Sequence, residues 1–156
     1  MRALLPVALR HGKVFAAHDR GGVVGCLIAS PPLTHPLPPP SLLVRVRTRI
    51  GQGKRVTERW AQAFHTLDAR HPREPHWYLG SLGVAPEAQK QGLGRALLAH
   101  FLSCADGDAL PSYLETDRPE NLAFYEQRGF RVQGEVQVHG ATAWRMWRPA
   151  LAAALV

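Results

Sequence analysis

The sequence predicts a mixed α/β fold in which one central sheet is flanked by helices. Three patterns point there. Two β-branched and aromatic-rich runs, KVFAAHD from Lys13 and VVGCLIAS from Val23, lie either side of Arg20-Gly21-Gly22 and read as a hairpin with a tight turn. The middle of the chain then alternates strand and helix signals, and two strand-like runs, FRVQGEVQV and TAWRMW, close it. At 156 residues, 46% hydrophobic and 20% charged, the chain has the length and composition of a single globular domain over 1–156.

The apolar stretches near the two ends, ALLPVAL and ALAAALV, are far shorter than the roughly 20 residues that span a bilayer, so no membrane partner is expected. The first contains Pro6 and meets Arg10, and no small-residue cleavage site follows, so it reads as mature protein. After the hairpin, PPLTHPLPPPS from Pro31 lacks backbone donors at each proline and reads as a loop. LLVRVRTRI alternates like a strand, whereas VTERWAQAFHTLDA spaces Val56, Trp60, Phe64 and Leu67 along one helical face; helices are expected on both sides of Gly51 and Gly53. HWYLGSLGV, His76 to Val84, is a strand punctuated by Gly80 and Gly83, where a break in sheet regularity is expected. Leu93, Leu97, Phe101 and Ala105, widened by Leu98 and Leu102, give a helix with one apolar stripe. PSYLET is the next strand, and Asp117 with Glu120 forms a capping arrangement for a helix ending near Gly129.

The formal charge of +7 suits an anionic ligand, but 16 of the 19 basic residues are Arg, which biased composition explains equally well. The stretch 41–73 carries eight basic residues against Glu58 and Asp68 (8 − 2 = +6) without the interleaved aromatics of a single-strand nucleic-acid platform, so it reads as a solvated face and no nucleic acid is expected as partner. Cys26 and Cys104 sit in apolar surroundings without nearby metal-ligand partners, as buried thiols of a reducing cytoplasm do. No metal site and no Ser-His-Asp spacing stand out.

The chemistry is concentrated in GVAPEAQKQGLGRALL. A strand ends at Val84, and Gly92 and Gly94 open a helix whose first-turn amides have no intrahelical acceptors. Such a terminus takes phosphate oxygens, with Lys90 and Arg95 adding charge of the right sign. A P-loop requires Gly-Lys followed by Ser or Thr, but Gly94 is followed by Arg95 and Ala96; a dinucleotide fingerprint requires glycine where Leu97 stands. What remains is Gln-x-x-Gly-x-Gly, formed by Gln89, Gly92 and Gly94, and it resembles the acyl-CoA motif of the GNAT superfamily of N-acetyltransferases. Downstream, NLAFYEQRGF places Asn121 and Tyr125 on one face of a short helix. Taken alone, that pair reads as a helix-starting Asn and a core Tyr with a backbone acceptor; after a matching glycine loop it strengthens the resemblance.

From Trp77 through Phe130 the chain also looks like the branch that contains puromycin N-acetyltransferase. The resemblance implies a mostly antiparallel sheet splayed between two central parallel strands, with acetyl-CoA as co-substrate and no metal. It implies coenzyme contacts at Leu82, Gly83, Val84, Gln89, Lys90, Gln91, Gly92, Leu93, Gly94, Arg95, Asn121 and Tyr125, and a proton donated by Tyr125 to the departing thiolate. It further implies transfer to the primary amine of a small molecule in a ternary complex, with a backbone amide near Val84 polarising the carbonyl. The family normally opens with a strand and helix before the hairpin; here the first strand and most of the first helix are expected to be missing, leaving an exposed edge or one covered in a homodimer.

Glu115, mid-strand in apolar company, is the first candidate for the base, its pKa expected to rise by burial, with a structural role beside an Arg equally open. His76 and His139 stand behind it, as does a water relay. Trp77, Tyr78, Trp60 and Phe64 are expected to be mostly core, with lining an acceptor pocket as the alternative. Peptide amines stay open as acceptors, and so does a non-catalytic acyl-CoA-binding module.

Overall fold

The structure is a computed structural model that describes residues 5–36, 38, 46 and 49–151. A short helix α1 (Leu5–His11) leads into the hairpin β1 (Lys13–Asp19) and β2 (Gly22–Ser30), whose turn is held by the Gly21 N–H donating to Asp19 Oδ1 at 2.7 Å. Helix α2 (Lys54–Asp68) precedes β3 (Trp77–Val84); α3 (Leu93–Gly107) and β4 (Ser112–Thr116) follow, then α4 (Leu122–Glu126), β5 (Arg131–Val138) and β6 (Ala141–Arg148). The helix expected before Gly51 lies largely outside the described residues. Residues 49–52 are helical, and the break falls at Gly53 (φ 81) alone.

The six strands form one sheet in the order β1-β2-β3-β4-β6-β5, antiparallel throughout except for the central β3–β4 pair. Because the crossover from β3 to β4 runs through α3, that helix lies on one sheet face. Its predicted stripe is the one buried: Leu97, Leu98, Phe101, Leu102 and Ala105 pack on Leu27, Ala29, Trp77, Leu79, Leu114 and Met146. Two polar ties fix its C-terminal end, Trp77 Nε1 to Asp108 Oδ2 at 2.9 Å and the two-pronged Arg148–Asp106 pair at 2.6 and 3.0 Å. Among the described residues, no helix is long and apolar enough to cross a membrane.

Helix α1 contributes Ala8 (1% exposed) to the packing on the hairpin, and β1 forms the sheet edge. Trp60 and Phe64, expected among core residues, are 57% and 52% exposed, and α2 has no buried residue. The helical period of that segment is real, but the face it marks is not covered. Cys26 and Cys104 are free thiols and half-buried rather than fully buried.

Candidate active site

The break expected near Gly80 takes a definite form. In the β2–β3 ladder Ile28 faces Ser81 and Ala29 faces Leu79, so Gly80 is the extra, unopposed residue of a bulge. On its other side β3 pairs with β4 only through Trp77–Ser112, Tyr78–Tyr113 and Leu79–Leu114. Beyond those pairs β3 continues to Val84 and β4 to Thr116 without hydrogen-bonding each other, which opens a gap between two parallel strands. The Ala85 N–H donates to Val24 O on β2. Strand alternation then turns the N–H groups of Val84 and Leu82 away from β2, into the gap, with Gly83 facing β2 between them.

The connection to α3 is held by side chains. Gln89 Nε2 donates to Val84 O at 3.1 Å, and Gln91 Nε2 to Glu87 O at 3.3 Å. Lys90 (φ 61) and Gly92 (φ 82) take left-handed conformations that turn the chain into the helix at Leu93. A side chain at Gly92 would be strained by that φ. The first helical bond is Ala96 N–H to Gly92 O; among the described residues, the N–H groups of Lys90 through Arg95 have no protein acceptor. The first turn holds no acidic residue, and Lys90 and Arg95 are exposed beside it. Free amides, the positive end of a helix of 15 residues and two cations fit the diphosphate of a coenzyme A.

On the far side of the gap, a 3₁₀ turn (Pro119–Asn121) runs directly into α4. The expected Asp117–Glu120 cap does not form; Glu120 pairs with Arg118 at 3.3 Å, and Asn121 Nδ2 reaches Thr116 Oγ1 at 3.4 Å. Gly129 (φ 87) reverses the chain, and the Phe130 N–H returns to Tyr125 O at 3.3 Å. Tyr125 is buried against Phe124 and Phe130, but its hydroxyl finds no partner among the described residues, backbone acceptors included. Burial raises its pKa, so the phenol keeps its proton.

Glu115 lies on the sheet face opposite α3, and its expected pKa rise is overturned. Burial pushes the carboxyl up, but the His71 imidazole and the hydroxyls of Tyr78 and Tyr113 outweigh it and hold the pKa below the usual value. Tyr78 OH donates to Oε2 at 2.8 Å, Tyr113 OH donates to Oε1 at 2.9 Å, and His71 Nδ1 lies 3.9 Å from Oε1. Among the described residues the carboxylate makes no Arg ion pair. His76, a second candidate for the base, is buried and joins the cluster through His71; His35 stacks on His71 at 3.7 Å. His139 is exposed in the β5–β6 turn, bonded to Arg59 O at 2.8 Å, and takes no part. Tyr113 was legible beside Glu115 by strand alternation, and Tyr78 by parallel register; no sequence signal marks His71. Among the described residues, no group of three or more potential ligands could hold a metal ion.

The family model described as an acetyltransferase (GNAT) domain matches residues 10–132. An uncharacterised N-acetyltransferase of Schizosaccharomyces pombe is 34% identical over 70 residues, 44% of this chain and 28% of its own length. The 5-NmdU N-acetyltransferase of Pseudomonas phage PaMx11 is 36% identical over 63 residues, 40% of this chain and 45% of its own. The matches thus span less than half the length of these relatives. Solved structures with the same fold include the histone acetyltransferase HPA2 and related acetyltransferase of Corynebacterium glutamicum (TM-score 0.69, 23% identity, 99% of this chain and 76% of that one). Nourseothricin acetyltransferase aligns at TM-score 0.56 and 18% identity over 90% of this chain and 66% of that one. The family model takes in the hairpin, the parted strands, the glycine loop and the Asn121–Tyr125 helix together, and the chain belongs to the GNAT acetyltransferase family.

Proposed function

We propose that the protein is an acetyl-CoA-dependent N-acetyltransferase that acylates the primary amine of a small molecule by direct attack within a ternary complex. The observation that carries the reading is the gap between β3 and β4, with unpaired α3 amides at one end and the unpartnered Tyr125 hydroxyl at the other. Acetyl-CoA supplies the thioester carbonyl. The N–H groups of Lys90 to Arg95, with the two cationic side chains, hold the diphosphate; Leu82, Gly83 and Val84 form one wall, and Asn121 the other. A β3 amide turned into the gap, at Val84 or Leu82, stabilises the carbonyl oxygen as charge grows on it. Tyr125 gives its proton to the leaving sulfur.

A small acceptor is favoured by the opposite face, where the rings of His35, His71, Tyr78 and Tyr113 pack around Glu115 with neighbouring centroids 3.7 to 6.0 Å apart. The reading places the protein in the cytoplasm, supported by two free thiols. Thiol release from acetyl-CoA, measured across small primary amines and short peptides, tests it. The expected result is turnover with a small amine, kcat lowered about 10²-fold or more in Tyr125→Phe, and a raised KM for acetyl-CoA in Gly92→Asp. Turnover confined to peptides would reassign the acceptor, and tight coenzyme binding without turnover would make the chain a binding module.

A further inference from the structure

We infer that Nδ1 of His71 is the atom that receives the proton lost by the acceptor amine, relayed through Glu115, with His76 positioning His71 for that task. This rests on the reading of the chain as an amine acetyltransferase. The argument is a count of donors. His76 Nδ1 lies 2.6 Å from Glu74 O. A carbonyl only accepts, so this nitrogen carries the hydrogen, and the Nε2 of a neutral His76 is a bare acceptor. Burial, the larger influence on His76, lowers its pKa and keeps the ring neutral.

His76 Nε2 lies 3.0 Å from His71 Nε2, so His71 must be the donor in that contact. With its single ring proton in that contact, a neutral His71 leaves Nδ1 bare, and it is a second proton at Nδ1 that makes the ring a partner holding the Glu115 carboxyl below its usual pKa. That atom faces Glu115 Oε1 at 3.9 Å, longer than a hydrogen bond yet within ion-pair range. Both carboxylate oxygens already accept from Tyr78 and Tyr113. The cluster is therefore one proton short of a complete set of contacts, and the vacancy sits beside an anion that stabilises the proton once it arrives. The ring cannot turn away freely: it stacks on His35 at 15° between planes and meets the edges of Tyr78 and Tyr113.

The chemistry requires such a sink. Converting an ammonium and a thioester into an amide and a thiol releases one net proton. The N–H bond of the ammonium breaks, the electron pair stays on nitrogen for the attack, and the proton passes by a Glu115 oxygen to His71 Nδ1. An imidazolium–carboxylate pair results. The thiolate takes a proton from Tyr125, and the second N–H proton, shed by nitrogen as the amide forms, restores the phenol, so one net proton remains on His71. The groups facing His71 are Glu115 and Tyr113 from β4, Tyr78 from β3, His35 from the loop after β2 and His76 ahead of β3. Asp68 at the end of α2 faces His35; Arg145 of β6, opposite Glu115 in the β4–β6 ladder, donates from Nη1 to Arg70 O, and its buried Nε has no partner among the described residues.

Two measurements test the relay. In His71→Ala, kcat should fall about 10²-fold with the acid limb of the kcat/KM profile lost, KM for acetyl-CoA unchanged, and added imidazole recovering about tenfold. A variant with kcat within about twofold of the parent and the same acid limb overturns the relay but leaves the acetyltransferase reading intact. A parent protein that acetylates no amine overturns both. Long-range ¹H–¹⁵N correlation spectra of the unaltered protein at pH 8 should show the Nε2–H tautomer for His71 and Nδ1–H for His76. An Nδ1–H tautomer for His71 overturns the relay whatever the variant does.

Discussion

Leu114 and Glu115 are neighbours on one strand and show how differently the two faces of the sheet are built. Leu114 is fully buried under α3, in a layer where Leu27, Leu98, Phe101 and Met146 are equally sealed. Glu115 points to the other side, where two phenol hydroxyls donate to it, one imidazole lies 3.9 Å away and a second imidazole is bonded behind that one. Close-packed apolar groups give most of the burial energy, but they have no protons to move. Hydrogen-bonded groups cost desolvation and contribute less to stability, yet only they can exchange protons. The first face holds the strands in register, and the second uses that register to keep Tyr78, Tyr113 and Glu115 converged.

The largest test of this contrast is truncation on the apolar side. Phe101→Ala removes a fully buried ring that packs edge-on against Trp77, and the loss should be about 3–5 kcal/mol by urea unfolding. On the polar side, Glu115→Ala leaves the Tyr78 and Tyr113 hydroxyls without their acceptor and should cost about 1–3 kcal/mol. If the two losses were equal, the polar cluster would be a second structural core and the division would fail.

Acid should weaken the polar face selectively. His35 and His76 have pKa values lowered, chiefly by burial, so the unfolded chain binds protons more readily than the folded one. Their contribution is present above the unfolded His value near 6.5 and is lost as pH falls below it towards their folded values. Glu115, lowered by its hydrogen-bond donors despite burial, adds a second loss once pH drops below the unfolded carboxyl value of about 4.3. Thermal melts from pH 8 to pH 4 should show a falling midpoint, with a slope below pH 6.5 that His76→Asn reduces. A midpoint flat from pH 8 to pH 5 would show that neither imidazole is held neutral.

The two faces also differed in how legible they were. The α3 stripe is a periodic pattern, and periodicity survives translation into structure because the same few contacts recur every turn. The glycine loop was legible for a related reason: Gly92 sits at a φ that disfavours other residues. The site face has no period. His71 lies in the segment between α2 and β3, and only the folded path brings it to Glu115 from 44 positions away (115 − 71). The pKa of Glu115 failed as an expectation because burial is readable from neighbouring residues, while two of the groups that override it, Tyr78 of β3 and His71 ahead of that strand, are brought alongside only by the fold. The Asp117–Glu120 cap failed because Glu120 pairs with Arg118, outside the helix it was expected to start.

The smallest expected effect concerns the pattern that misled. Val56, Trp60 and Phe64 recur at helical spacing on α2, yet they are 43%, 57% and 52% exposed, and the two rings lie against each other with centroids 5.8 Å apart. A period marks a face without saying what covers it. If solvent covers this one, Trp60→Ala removes little that is buried and should change stability by no more than about 0.5 kcal/mol. A Trp drawn from a packed environment would instead cost about 3–5 kcal/mol. The two outcomes differ by several-fold, so one unfolding curve separates them. Repeating it at two protein concentrations adds a control, because a face covered by a second copy would make the midpoint depend on concentration.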